Sequence, residues 1–189
     1  SFTEKVRTLT EKLEGLIPKG YRGACWGYDF DWEARDAKIP AYQPTVVATG
    51  IITNALFTAW KMIGADKCRD LCLSATHFVV KDLQRTYNGP DRFCFSYSPF
   101  DQQQVFNASM KGARLLAQAW SETHEAELEV TARAAVDFVV NQQRDDGAWA
   151  YSLASGGGWS DNYHTGYVLD CLDEYIRITG DKTYADNLA

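Results

Sequence analysis

Ala59-Trp60-Lys61-Met62-Ile63-Gly64-Ala65-Asp66-Lys67 recurs in two pieces further along the chain, and that recurrence decides the fold. Its first three residues lie over Ala119-Trp120-Ser121, an offset of 60 that also brings Leu56 over Leu116, Phe78 over Phe138 and Val79-Val80 over Val139-Val140. From Ile63 onward it lies over Thr179-Gly180-Asp181-Lys182-Thr183, an offset of 116 that also places Thr49-Gly50 over Thr165-Gly166. A period of roughly 56 to 60 residues marks an architecture built by stacking one supersecondary unit.

Each unit reads as two helices. The first helices are expected over residues 45–63, 106–123 and 163–179, and the second over 67–84 and 125–143, with Tyr184 opening a third. Leu169, Leu172 and Ile176 show the apolar spacing of a helix with one buried face. Gly64 and Gly180 fit the permissive position just past a helix C-terminus. A further helix over residues 3–16, ending at Pro18 and Gly20, supplies the second half of a preceding hairpin. Wide apolar faces require every helix to pack on both neighbours, so the expected fold is all-α, an (α/α) toroid of helical hairpins. About three hairpins are present, half of a ring. Residues 1–189 are expected to form a single domain of a longer ring, because the last residues stop inside a helix, and open ring ends would favour self-association.

Long loops, 20–43, 86–104 and 145–162, join one hairpin to the next and share an aromatic signature. It reads Cys25-Trp26-Gly27-Tyr28, then Cys94-Phe95-Ser96-Tyr97, then Ala148-Trp149-Ala150-Tyr151. The first aromatic of each is expected to be buried beneath its hairpin. The loops gather beside the N-termini of the first helices, where rigid scaffolds usually carry binding and chemistry and where helix ends favour anions.

Arg133-Ala134, Phe138-Val139, Gln143 and Gly147-Ala148-Trp149 fit the spacing of the QW repeat of terpene cyclases and related toroids, in which Gln caps a helix end over a packed Trp. A second resemblance covers almost the whole chain. It rests on residues 28–32 (Tyr-Asp-Phe-Asp-Trp), 42–50, 95–99, 105–109 and 161–166 (Asp-Asn-Tyr-His-Thr-Gly). In these segments the chain resembles six-hairpin toroid proteins of exopolysaccharide and capsule gene clusters, the VpsJ-like family. That resemblance implies a polysaccharide context and supplies no assigned reaction.

The densest polar cluster is Asp161, Asn162, Tyr163 and His164, which leads into a first helix. His164 is a candidate base, Asp161 a candidate cap or catalytic partner, and Tyr163 a candidate substrate contact. Asp29 and Asp31 form an acidic loop in the first unit, and two carboxylates across a groove would suit a glycosidase. Tyr97 paired with His164 would suit proton abstraction beside a uronate carboxylate, with Asp101 and Asn107 as substrate contacts. Tyr28 and Trp32 are sugar-stacking candidates, Trp32 the better platform because it lies out of phase with the buried aromatics. Gly156-Gly157-Gly158 reads as a mobile loop tip, and neither a nucleophile elbow nor a phosphate-binding loop is present.

The 13% aromatic content suits a carbohydrate or apolar groove, while a net charge of −6 with interspersed signs argues against nucleic acid. The longest apolar runs fall short of a membrane span, and no signal peptide opens the chain. Five cysteines, Cys25, Cys68, Cys72, Cys94 and Cys171, lack zinc-site spacing and read as reduced thiols of a cytoplasmic protein. No metal or cofactor is expected. The functional expectation is a carbohydrate-active toroid: a glycoside hydrolase, uronate lyase or epimerase acting on a polysaccharide or oligosaccharide. The alternatives are a non-catalytic glycan-binding scaffold and a terpene-cyclase-like toroid.

Overall fold

A computed structural model describes residues 1–34, 37–87 and 91–188, so the middles of the first two long loops and the final residue lie outside the description. Tertiary contacts divide the chain into two compact units, Ser1–Asp82 and Leu83–Ala189.

The first unit holds α1 (Phe2–Gly15), a short antiparallel hairpin of β1 (Trp32–Ala34) and β2 (Ala37–Ile39), and the helical pair α2 (Val46–Ile63) and α3 (Asp66–Lys81). Each boundary has a local cause. Ser1 and Glu4 form a capping box at the start of α1. The Thr45 hydroxyl accepts from Ala48 N–H at 3.0 Å to start α2. Gly64, in the left-handed region at φ 66°, ends α2 and turns the chain into α3 within two residues. Apolar length and composition alone would let α2 cross a membrane, a test that core helices also meet, and 44% of that stretch is buried within the fold.

The second unit holds the hairpin of β3 (Arg85–Tyr87) and β4 (Phe93–Phe95), then α4 (Phe106–Thr123), α5 (Ala126–Val140), α6 (Asn162–Thr179) and a closing 3-10 helix, Lys182–Leu188. α4 is its centre: every residue from Phe106 to Ala119 is buried, and the helix packs on both α5 and α6. α5 covers it with Leu128, Ala132, Ala135, Val136 and Val139, the stripe of a one-sided helix. His124 and Gly180 repeat the left-handed ending of Gly64, at φ 56° and 73°.

The first helices match their expected spans to within a residue. The second helices end earlier, at Lys81 and Val140. Gln143 lies beyond the helix, where its side chain donates to the Gly147 and Asn187 carbonyls and accepts from Asn187. The strand pairs inside the loops are three residues each, too short to show a period of two in sequence. The aromatic signature is buried in all three loops: Trp26, Phe95 and Trp149 are each at most 2% exposed.

Candidate functional site

The loop that precedes α6 is built by its own hydrogen bonds. Arg144 binds Asp146 and Ser160 across the loop mouth. Beyond it, Tyr151 N–H donates to the Trp159 carbonyl and Ser152 N–H to that of Gly157. Gly157 is buried, and a Cβ there would stand 2.0 Å from Ser152 Oγ and 3.0 Å from the Ser152 carbonyl oxygen, so a larger residue would force Ser152 to shift. The Gly156–Gly158 segment is therefore a tightly hydrogen-bonded turn rather than the loose tip its composition implies. Its closure lays Trp159 on Tyr151, with ring centroids 4.7 Å apart and planes 8° from parallel.

α6 begins against this stack. Asp161 is the N-cap, accepting from His164 N–H at 2.7 Å, and the His164 Nδ1 lies 2.9 Å from each of its carboxylate oxygens. The backbone N–H of His164, followed by its ring, holds the Asp161 carboxyl below the ordinary range. An ionised carboxylate only accepts, so Nδ1 is the donor of this pair and Nε2 is the ring nitrogen turned away from Asp161. The His164 ring stands edge-on to Tyr151 (4.9 Å), Trp159 (5.3 Å) and Tyr167 (6.5 Å). Trp159 is 47% exposed and the His164 side chain 29%, so both are accessible from solvent. The arrangement offers an oriented base beside an aromatic plate.

Of the residues singled out from sequence, Asp161, Tyr163 and His164 come together here, Tyr163 as an exposed residue in the first turn of α6. Asn107 lies in the first turn of α4, 6% exposed, and its Oδ1 has no hydrogen-bond partner among the described residues. Asp101 serves its own loop: its carboxylate accepts from the backbone of Tyr97, Ser98 and Gln103 and from the Ser98 hydroxyl. Tyr97 is buried in that loop at 6% exposure. Asp29, Asp31, Tyr28 and Trp32 belong to the first unit. There Asp29 and Asp31 are exposed, Asp31 accepts from Ala41 N–H, Tyr28 stacks on Phe30, and Trp32 is half-buried in β1.

Sequence reasoning missed Tyr151, Trp159 and Tyr167, and it missed Lys111. Lys111 is 2% exposed on α4, with its ammonium 3.8 Å from the centre of the Tyr167 ring. A polar residue every three or four positions along an otherwise apolar helix (107, 111, 114, 118) was the available signal. Two surface concavities of about 380 Å³ lie elsewhere, one between the β3–β4 hairpin and α5, the other between α1 and α3. Neither contains any of these residues.

No protein-family model matches the chain, and no curated protein matches it in sequence. Solved structures do match it. A sugar epimerase from a ruminal bacterium superimposes with a TM-score of 0.70 at 11% identity, over 100% of this chain and 53% of its own. Cellobiose 2-epimerase from Bacillus thermoamylovorans gives 0.69 at 16% identity, over 99% and 53%. Cellobiose 2-epimerase from Spirochaeta thermophila gives 0.68 at 12% identity, over 99% and 52%. The chain thus spans about half the length of the structures it matches, and its fold is that of half an (α/α) toroid.

Proposed function

We propose that the chain carries one side of a sugar-binding acid–base site, and that the reaction is proton transfer at the carbon next to the carbonyl of a reducing sugar. The observation that supports this reading is the Asp161–His164 pair at the start of α6, set edge-on to the Tyr151–Trp159 stack. Trp159 would receive the apolar face of a sugar ring. His164 Nε2 would take the proton from the carbon beside the carbonyl, with Asp161 stabilising the imidazolium that forms. The electron pair of the broken C–H bond forms the carbon–carbon double bond of an enediolate as the carbonyl π pair moves onto oxygen. On collapse, a proton returned to the same carbon from the opposite face gives an epimer, and a proton given to the former carbonyl carbon, with the neighbouring hydroxyl proton passing to the former carbonyl oxygen, gives an isomer.

Similarity of fold to sugar epimerases is consistent with that chemistry. The polysaccharide-cluster context implied by the VpsJ-like segments is part of the proposal, with a sugar chain or its building blocks as substrate. Five buried, unpaired cysteines support a reducing compartment.

The test is incubation of the full-length protein with reducing sugars in D₂O, followed by NMR. Wild type is expected to wash deuterium into the position beside the carbonyl. The His164→Asn variant is expected to lose the exchange by about 10²-fold or more, and Asp161→Asn to lose less. Broadened sugar lines with no exchange would replace this reading with the non-catalytic glycan-binding one.

A further inference from the structure

α4 and α6 face each other through a ladder of polar pairs at a constant sequence offset. Gln118 donates to Glu174, Arg114 pairs with Asp170 at 2.6 Å, and Lys111 sits over Tyr167, each pair separated by 56 positions. One more step at that offset pairs Asn107, in the first turn of α4, with Tyr163, in the first turn of α6 and adjacent in sequence to His164.

The pairing changes along the ladder. Away from the helix N-termini, Arg114 and Gln118 meet carboxylates. Toward the N-termini the partners run out. Among the described residues no ion pair or hydrogen bond joins the Lys111 ammonium to a neighbour, and it lies 3.8 Å from the centre of the Tyr167 ring. Asn107 Oδ1 lacks a donor, and Arg114 Nε lacks an acceptor. Burying an ammonium without a counter-charge is costly, and one aromatic face recovers only part of that cost. The other charged or titratable groups around Lys111 are Arg114, Asp170 and Cys171. Asp170 is already bound to Arg114, and burial favours the neutral Cys171 thiol. Burial also pulls the Lys111 ammonium below its ordinary range, as expected where no full counter-charge is supplied. Tyr167 touches both His164 and Lys111, so the unfilled rung is continuous with the aromatic site.

We propose that this site takes an anionic sugar, its acidic group held by Lys111 and a hydroxyl donated to Asn107 Oδ1. The inference rests on the reading of the His164 face as a sugar site. A uronic acid is the expected form, since it carries a carboxylate together with ring hydroxyls on one small ring, and a sugar phosphate shares the same chemistry.

Calorimetric titration of the full-length protein with glucuronate, glucose 6-phosphate and glucose tests it. The expected result is at least ten-fold tighter binding of an anionic sugar than of glucose. That preference should be abolished in Lys111→Met and partly kept in Lys111→Arg. The glucuronate and glucose 6-phosphate arms identify which acidic group is read. Equal affinity of wild type for glucose and both anions overturns the inference, even where Lys111→Met fails to fold. If glucose still exchanges deuterium in that case, the proton-transfer reading survives without it. Absence of binding by all three removes both. An anion preference that persists in folded Lys111→Met also overturns the assignment to Lys111.

Discussion

Trp26 and Trp149 occupy equivalent places in two repeats. The indole N–H of Trp26 donates to the Leu13 carbonyl at 2.7 Å, and that of Trp149 to the Val139 carbonyl at 2.7 Å. Leu13 and Val139 both lie in the last turn of the helix before the loop, and each carbonyl also accepts a backbone N–H, from Leu16 at 3.2 Å and from Gln142 at 2.9 Å. The tryptophan thus adds a second donor at a helix end while its ring fills the space beneath the hairpin. Phe95 fills the corresponding place without an N–H, and its loop is held instead by Ser96, whose hydroxyl accepts from Gln84 N–H. Trp149→Phe keeps most of the volume and removes the donor. It is expected to lower unfolding free energy by about 1 kcal/mol, the net contribution of one hydrogen bond, because the Val139 carbonyl keeps the Gln142 N–H. Urea denaturation measures this, and an unchanged midpoint would show that the bond contributes nothing.

Helical hairpins close through a single backbone position. Gly64, His124 and Gly180 each take the left-handed conformation that turns a first helix into the element after it. A Cβ at Gly64 would meet nothing within 4 Å, so Gly64→Ala isolates the backbone cost. Thermal unfolding is expected to show a loss of about 1–2 kcal/mol. At His124 the natural residue already bears that strain, so His124→Gly is expected to move stability the other way, by a smaller amount because glycine gains more freedom when unfolded. A loss at His124 would mean that its edge contact with Trp120, 6.0 Å between ring centres, outweighs the strain.

Across the whole molecule the five cysteines are buried and unpaired. Burial pushes the Cys25, Cys72 and Cys94 thiols up to about 12 from an ordinary value near 9. A group whose value is raised on folding contributes its stability in full below the unfolded value and loses it as pH climbs toward the folded one. Stability is thus expected to be unaffected by these thiols up to pH 9 and to decline from there toward about pH 12, as the unfolded chain releases protons that the folded chain keeps. Urea midpoints recorded across that range check it, and a midpoint constant to pH 11 would contradict it.

Much of the scaffold could be read from the linear chain. Helix periodicity, the left-handed glycines and the recurring loop aromatics are local or short-range patterns, and a repeat displays them several times over. That is why the first helices and the buried Trp26, Phe95 and Trp149 were legible. Asp161 and His164 were legible for the same reason, since a cap and the residue three positions on meet within one turn. The rest depended on packing between elements. Trp159 meets Tyr151 because the loop folds back on itself through the Tyr151–Trp159 and Ser152–Gly157 backbone bonds, and Asp101 is committed to its loop by four bonds whose geometry no spacing reveals. Lys111 looks like an ordinary polar residue of a helix until α6 is laid beside α4. Repetition determined the elements of this protein and their order. Which polar groups between α4 and α6 found partners was decided only by the packing of those two helices, because each partner lies 56 positions away in sequence.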